Sequence, residues 1–203
     1  MKALILILIL ATTSCNEPLT QTVQSPVHPL SVPQPPNSIT PYIKNVINRI
    51  NAPLPAYYKE VLVRLLGDIA TDSIKDPDLG RIWIAMIAVE SRFERSAKSN
   101  RGARGIGQLL PAYKDDFGKV CGFDNVRPDD LWDIYINAQL SACYFKDLVA
   151  RNEGSIPFAL IAYNAGPNSE SLKAAKQGRS INNEPANYVT KIMIVKEQGE
   201  RND

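Results

Sequence analysis

The sequence predicts a mainly α-helical domain over residues 42–203, preceded by a segment of different character. Three observations carry this reading. Past residue 42, apolar residues recur at three- and four-residue spacing in stretch after stretch, the period of a helix with one buried face. No stretch shows the strict alternation of a half-buried strand. Helix punctuation also sits where such helices need it, with Asp76-Pro77 as a cap and first turn and Gly166-Pro167 as a stop. The 203 residues include 23 basic and 21 acidic ones, for a formal net charge of +2, and 44% are apolar. That suits one globular domain with an appendage. Near-neutral charge without a basic block argues against a nucleic-acid binder. One histidine (His28) and three cysteines are few soft ligands, so no metal or cofactor is expected, nor a Ser-His-Asp triad in the core.

The elements follow in order. Met1-Lys2 and the nine apolar residues 3–11 are too short to span a bilayer, which takes about 20 residues, but fit the core of a secretory signal. The run Thr12-Thr13-Ser14-Cys15 resembles a bacterial lipoprotein signal, in which the cysteine is lipidated and becomes the first mature residue; Thr12 stands where that pattern usually has Leu. The alternative is a plain secretory signal followed by chance by a cysteine. The expected division is a signal over 1–14 and a tether over 15–41. Seven prolines lie between residues 16 and 41, with Glu17 the sole full charge, too little apolar surface to offset ordering. Export would carry Cys121 and Cys143 into an oxidising compartment, where they read either as a disulfide or as two buried thiols.

Helical patterns then cover about 42–50, 56–70, 77–91, 108–119, 130–150, 155–164 and 184–198. The segment 77–91 is apolar on nearly all sides (Leu79, Ile82, Trp83, Met86, Ile87, Val89) and should be central. Residues 94–107 are polar and Gly-rich. There, or in 118–128, a very small β element has room.

Candidate chemistry begins at Glu90, a carboxyl group at the end of that apolar helix. Burial would raise its pKa and suit it to general acid work; the bland alternative is that it turns outward into solvent. Ser99 to Pro111 then packs Gly102, Gly105 and Gly107 into six residues, without the Gly-Lys-Ser/Thr ending of a phosphate loop. Tyr163-Asn164 ends an apolar helix, which by itself could be no more than packing.

Taken together, these motifs resemble the lysozyme-like lytic transglycosylases of the soluble-lytic-transglycosylase family, which cleave bacterial peptidoglycan. The resemblance rests on Glu90-Ser91 with Ser99 nine residues on, the Gly-Ala-x-Gly-x-x-Gln block from Gly102 to Gln108 with Pro111 beyond it, Ala-Tyr-Asn-Ala-Gly from Ala162 to Gly166, and, more weakly, Glu184 with Tyr188-Val189. It spans about residues 76–195. Gly107 departs from it, since the family usually has Met there, and that loss would remove an apolar wall from the cleft.

The resemblance implies a lysozyme-like fold with a substrate cleft and a mechanism with one essential carboxyl group. Glu90 would protonate the glycosidic oxygen between N-acetylmuramic acid and N-acetylglucosamine. It would then take the proton of the muramic C6 hydroxyl, which closes onto C1 as a 1,6-anhydro ring. Ser99 and Gln108 would bind the strand, Tyr163 would hydrogen-bond and desolvate Glu90, and Asn164, Glu184 and Tyr188 would support the site, while Ser91 holds the helix end. The expected partners are peptidoglycan strands and, through Cys15, a membrane. Asn16 in place of Asp points to the outer membrane of a Gram-negative envelope. A lysozyme-type hydrolase is the alternative. It would need a second carboxylate to activate water, and Asp115, Asp116 and Asp124 are not singled out by spacing. A non-catalytic glycan-binding scaffold would be marked by loss of Glu90, which is present.

Overall fold

The computed structural model describes residues 39–201, and the expectations for the signal, Cys15, His28 and most of the tether lie outside them. The chain enters through α1 (Thr40–Arg49), two residues before the expected boundary, with Pro41 in its first turn. Tyr42, Ile43, Val46 and Ile47 form its buried face. α2 (Ala56–Ile69) runs on into a π-helical turn, Ala70–Ile74, which stops where Lys75 turns left-handed at φ 65°. The Asp76 carboxylate then accepts the Asp78 and Leu79 N–H groups at 2.9 and 3.0 Å, capping α3 (Pro77–Ser91).

α3 is the central element that its composition predicts. Every residue from Ile82 to Ala88 is buried, Trp83 completely. α8 (Asn183–Glu200) lies along α3 and α1, and α6 (Ile156–Ala165) joins α8 to α5 (Ile134–Arg151). α1 and α8 approach so closely at Gly199 that a Cβ there would fall 2.5 Å from Val46 and 2.6 Å from Tyr42. The short α7 (Glu170–Lys176), capped by Ser169, was not expected, because seven residues hold too few turns for a period to show.

The segment 108–119 also departs from the single helix expected. Gln108 sits at φ 50°, so the helix cannot start there. Bridges pair Lys98 with Arg104 and Arg104 with Leu109, the small β element the loop had room for. A 3-10 turn at Pro111–Tyr113 leads into α4 (Lys114–Cys121), and a second at Pro128–Trp132 leads into α5. These pieces build a satellite cluster of Leu109, Phe117, Val126, Leu131 and Leu140 beside the main core. Tyr144 and Tyr163 pack on both clusters and so mark the seam between them. Cys121 and Cys143 stand side by side where α4 meets α5, with Cα atoms 5.7 Å apart.

One polar side chain fastens the Gly-rich loop to this frame. Asn137 on α5 is wholly buried. Its amide donates to the carbonyls of Arg104 and Leu131 at 2.8 and 2.9 Å, and its oxygen accepts the Gly107 N–H at 2.7 Å. One turn on, Ser141 accepts the Trp83 indole N–H at 3.1 Å and donates to the Ala138 carbonyl at 2.9 Å, which ties α5 to α3. Asn137→Ala should therefore strand three backbone groups and cost about 3 kcal/mol. For a domain of this size that lowers the thermal midpoint by about 6–12 °C in a calorimetric scan. An unchanged midpoint would show that the loop holds itself.

Candidate active site

Glu90 occupies the last turn of α3, where the helix emerges from the core. Beyond Ser91, Arg92 and Phe93 both take left-handed conformations, at φ 53° and 64°, and turn the chain out of the helix. Ser91 is buried and its hydroxyl donates to the Ile87 carbonyl at 3.3 Å, which matches its expected place at the helix end. Glu90 keeps partial solvent access while protein atoms crowd its carboxyl group. That burial pushes its pKa from an ordinary 4.5 up to about 7, against a smaller downward pull from one hydrogen bond.

The bond comes from Tyr188. Its hydroxyl, reaching across from α8, donates to the Glu90 carboxyl at 2.5 Å. Tyr163 was expected in this role, and the structure corrects that. The Tyr163 hydroxyl donates its single hydrogen to the Gly107 carbonyl at 2.7 Å. Tyr163 still lies close enough to Glu90 for the carboxylate charge to raise its pKa, though burial raises it more. It remains a wall of the site, and Tyr188 is the hydrogen-bonding partner.

The other expected residues sort by position. Gln108 follows Gly107 in the loop with its amide group already engaged, donating to the carbonyls of Ala97 at 3.0 Å and Gly105 at 2.8 Å. Its side chain thus locks the loop from within. The Ser99 hydroxyl accepts the Ala103 N–H at 3.0 Å within its own loop. Asn164 is half-buried near the end of α6, one residue past Tyr163. Glu184 does not support Glu90 by contact. It stands exposed in the first turn of α8, with its carboxylate 3.9 Å from the Arg101 guanidinium across the loop. A cavity between the α1–α2 connection and the exit of α3, lined by Pro53, Tyr57, Tyr58, Arg92 and Arg95, does not include Glu90.

Gly107 overturns a second expectation. A Cβ at this position would lie 2.5 Å from the Ser141 Cβ and 3.1 Å from the Asn137 Oδ1. A side chain here would point into α5, not line a cleft. Gly107 lets the loop backbone press against α5, so that its N–H reaches Asn137 and its carbonyl reaches Tyr163. Sequence reasoning passed over Asn137 itself. The available signal was an Asn on the apolar stripe of a strongly amphipathic helix, where a polar residue needs a reason.

Two outcomes follow from the electrostatics. In Tyr188→Phe the lowering hydrogen bond is gone while the shape is kept, so the Glu90 pKa should move further up in a carboxyl-carbon NMR titration. A downward move would mean that burial is not the dominant cause. In the folded state Glu90 holds its proton up to about pH 7, whereas the unfolded chain releases it near 4.5. The unfolded state thus binds fewer protons between those values, and this contribution to stability falls as pH rises through that window. Glu90→Gln removes the penalty. Denaturant melts at pH 8 should show the variant more stable by about 2 kcal/mol, after allowance for partial solvent access. The two proteins should converge below pH 4.5.

Residues 75–185 match the family model described as the transglycosylase SLT domain, so the match takes in Glu90, the glycine loop, Tyr163 and Glu184, and stops just before Tyr188. Two solved structures share the fold. One is an inactive mutant of the lytic transglycosylase Slt from Pseudomonas aeruginosa, 20% identical, with a TM-score of 0.53 over 72% of this chain and 27% of that one. The other is the 70 kDa soluble lytic transglycosylase of Escherichia coli, 16% identical, with a TM-score of 0.55 over 78% of this chain and 29% of that one. The chain therefore spans less than a third of either protein's length. On the strength of the match across 75–185, the chain belongs to the transglycosylase SLT domain family.

Proposed function

We propose that the protein is a peptidoglycan lytic transglycosylase that uses Glu90 as both acid and base. The observation that carries this reading is a carboxyl group with a pKa of about 7, held by Tyr188 at the open end of a buried helix. Such a group is protonated often enough to donate and ionised often enough to accept near neutral pH. Protonated Glu90 gives its hydrogen to the glycosidic oxygen between N-acetylmuramic acid and N-acetylglucosamine, and the C1–O bond breaks. The substrate's 2-acetamido group stabilises the positive charge at C1. Ionised Glu90, steadied by the Tyr188 hydroxyl, then takes the proton of the muramic C6 hydroxyl. The C6 oxygen bonds to C1 and closes the 1,6-anhydro ring, so no water is consumed and Glu90 ends protonated. One carboxyl group suffices because substrate groups replace the second carboxylate of the usual glycosidase pair. Gln108, Ser99, Asn164 and Glu184 line or rim the path of the strand.

Glu90→Gln should lose about 10²–10⁴-fold in rate on purified peptidoglycan while keeping its fold. Mass analysis of the wild-type products should find anhydro ends. Reducing ends would make the protein a hydrolase, and full activity in the variant would remove Glu90 from the chemistry.

We further infer an envelope setting. Cys15 carries lipid, the membrane is the outer one facing the periplasm, and Cys121 and Cys143 are oxidised to a disulfide. The 5.7 Å Cα separation supports the last point, and the sequence around Cys15 supports the first. Several acyl chains would anchor the protein stably where one chain would not. Cys15→Ser should abolish lipid labelling and shift the protein out of the membrane fraction. Thiol counting on the exported wild type, denatured without reductant, should find no free Cys121 or Cys143. Retention in the membrane with two free thiols would refute this setting.

A further inference from the structure

Tyr113 is 53% exposed, yet it is not a scattered surface aromatic. It closes the 3-10 turn five residues beyond Gln108, with its N–H bonded to the Leu110 carbonyl at 3.0 Å. Its ring meets Phe117 edge-on with centroids 6.5 Å apart; Phe117 meets Tyr144 at 4.8 Å, and Tyr144 meets Tyr163 at 5.7 Å. The inner end of this row borders Glu90 and the outer end opens to solvent. The wall that carries it is rigid: Phe117 is buried in the satellite cluster, and Cys121 at the end of α4 abuts Cys143 on α5.

The surroundings restrict what Tyr113 can hold. Lys114 follows and then Asp115 and Asp116, both exposed in the first turn of α4; Asp115 holds the Lys114 ammonium, which leaves the turn one net negative charge from Asp116. An anionic ligand would meet repulsion there. A neutral sugar would not, and its apolar C–H face and hydroxyl rim match the apolar body and polar tip of a tyrosine.

We propose that Tyr113 stacks on an N-acetylglucosamine unit of the glycan strand, at a subsite removed from the scissile bond, and so favours long strands over short ones. This rests on the transglycosylase reading above. The test uses the full chain carrying Glu90→Gln, so that nothing is cut, titrated calorimetrically with chitohexaose and with chitobiose. Adding Tyr113→Ala should weaken hexamer binding about tenfold, the scale of one lost aromatic contact, and leave dimer binding unchanged. Tyr113→Phe should restore hexamer affinity to within about twofold, since the ring face and not the hydroxyl makes the contact. The thermal midpoint should fall by no more than about 6 °C, the scale of the one lost edge contact with Phe117, and equally with and without ligand. Equal hexamer affinity with and without the Tyr113 ring would overturn the subsite, as would equal weakening for both ligands. If the Glu90→Gln chain binds neither ligand, the subsite is overturned, while the function reading is judged separately by the anhydro ends of the wild-type products.

Discussion

Burial holds the Glu90 pKa up at about 7, and the packing of α8 along α3 brings in the Tyr188 hydroxyl that pulls it partly back down. Tyr188 sits on α8 and Glu90 on α3, so their 2.5 Å hydrogen bond exists only as precisely as those two helices pack. That packing is fixed from behind by α1. Gly199 admits Tyr42 and Val46 against α8; Asn45 donates to the Gly199 carbonyl at 3.3 Å, and Arg49 to the Arg201 carbonyl at 3.1 Å. α1 and α2 lie before the matched residues 75–185, yet α1 braces the far side of the helix that carries Tyr188. α1 thus supports the Tyr188–Glu90 pair by a mechanical route, through its packing on α8.

Burying an acid costs stability, and the sign of that cost explains where it can be tolerated. Because the folded pKa is the raised one, the penalty grows as pH climbs from about 4.5 to about 7 and stays in full above that. The offset comes from α3 itself. A fully buried Trp83, Ile84, Met86 and Ile87 each contribute on the order of 1.5–3 kcal/mol of apolar burial within the three turns before the glutamate. α3 therefore supplies burial energy that offsets the cost of the raised Glu90 pKa at its own C-terminal end.

How much of this was legible depended on whether a feature was local. α3, α5, the caps at Asp76 and the position of Glu90 are written in periods and adjacent residues, and the structure places them as read. The choice between Tyr163 and Tyr188 was not local. Both are tyrosines on helices, and which hydroxyl meets Glu90 depends on where α6 and α8 land relative to α3. Tyr163 was assigned a bond that its hydroxyl spends on Gly107, 56 positions away. Glu184 shares the face of Tyr188 at four-residue spacing, but it lies in the first turn of α8, exposed beside Arg101, and how far along α8 the contact with α3 extends is not a local property. The glycine-for-methionine change was read as a loss at the cleft because sequence gives no direction for a Cβ. The contacts at Ser141 and Asn137 supply that direction.

Gly107 is consequently better understood as a junction than as a gap. Its peptide is held from two sides, with the N–H on Asn137 of α5 and the carbonyl on Tyr163 of α6. Asn137 in turn holds Arg104 and Leu131, and Tyr163 borders Glu90 and begins the aromatic row. Both partners are buried polar groups that would be costly to leave unpaired. A side chain at 107 would push the loop away from α5 and loosen both bonds together. The Tyr163 side of Glu90 and the α5 side of the loop therefore share one backbone unit, and the smallest residue is the one that lets that unit sit close enough to bond both.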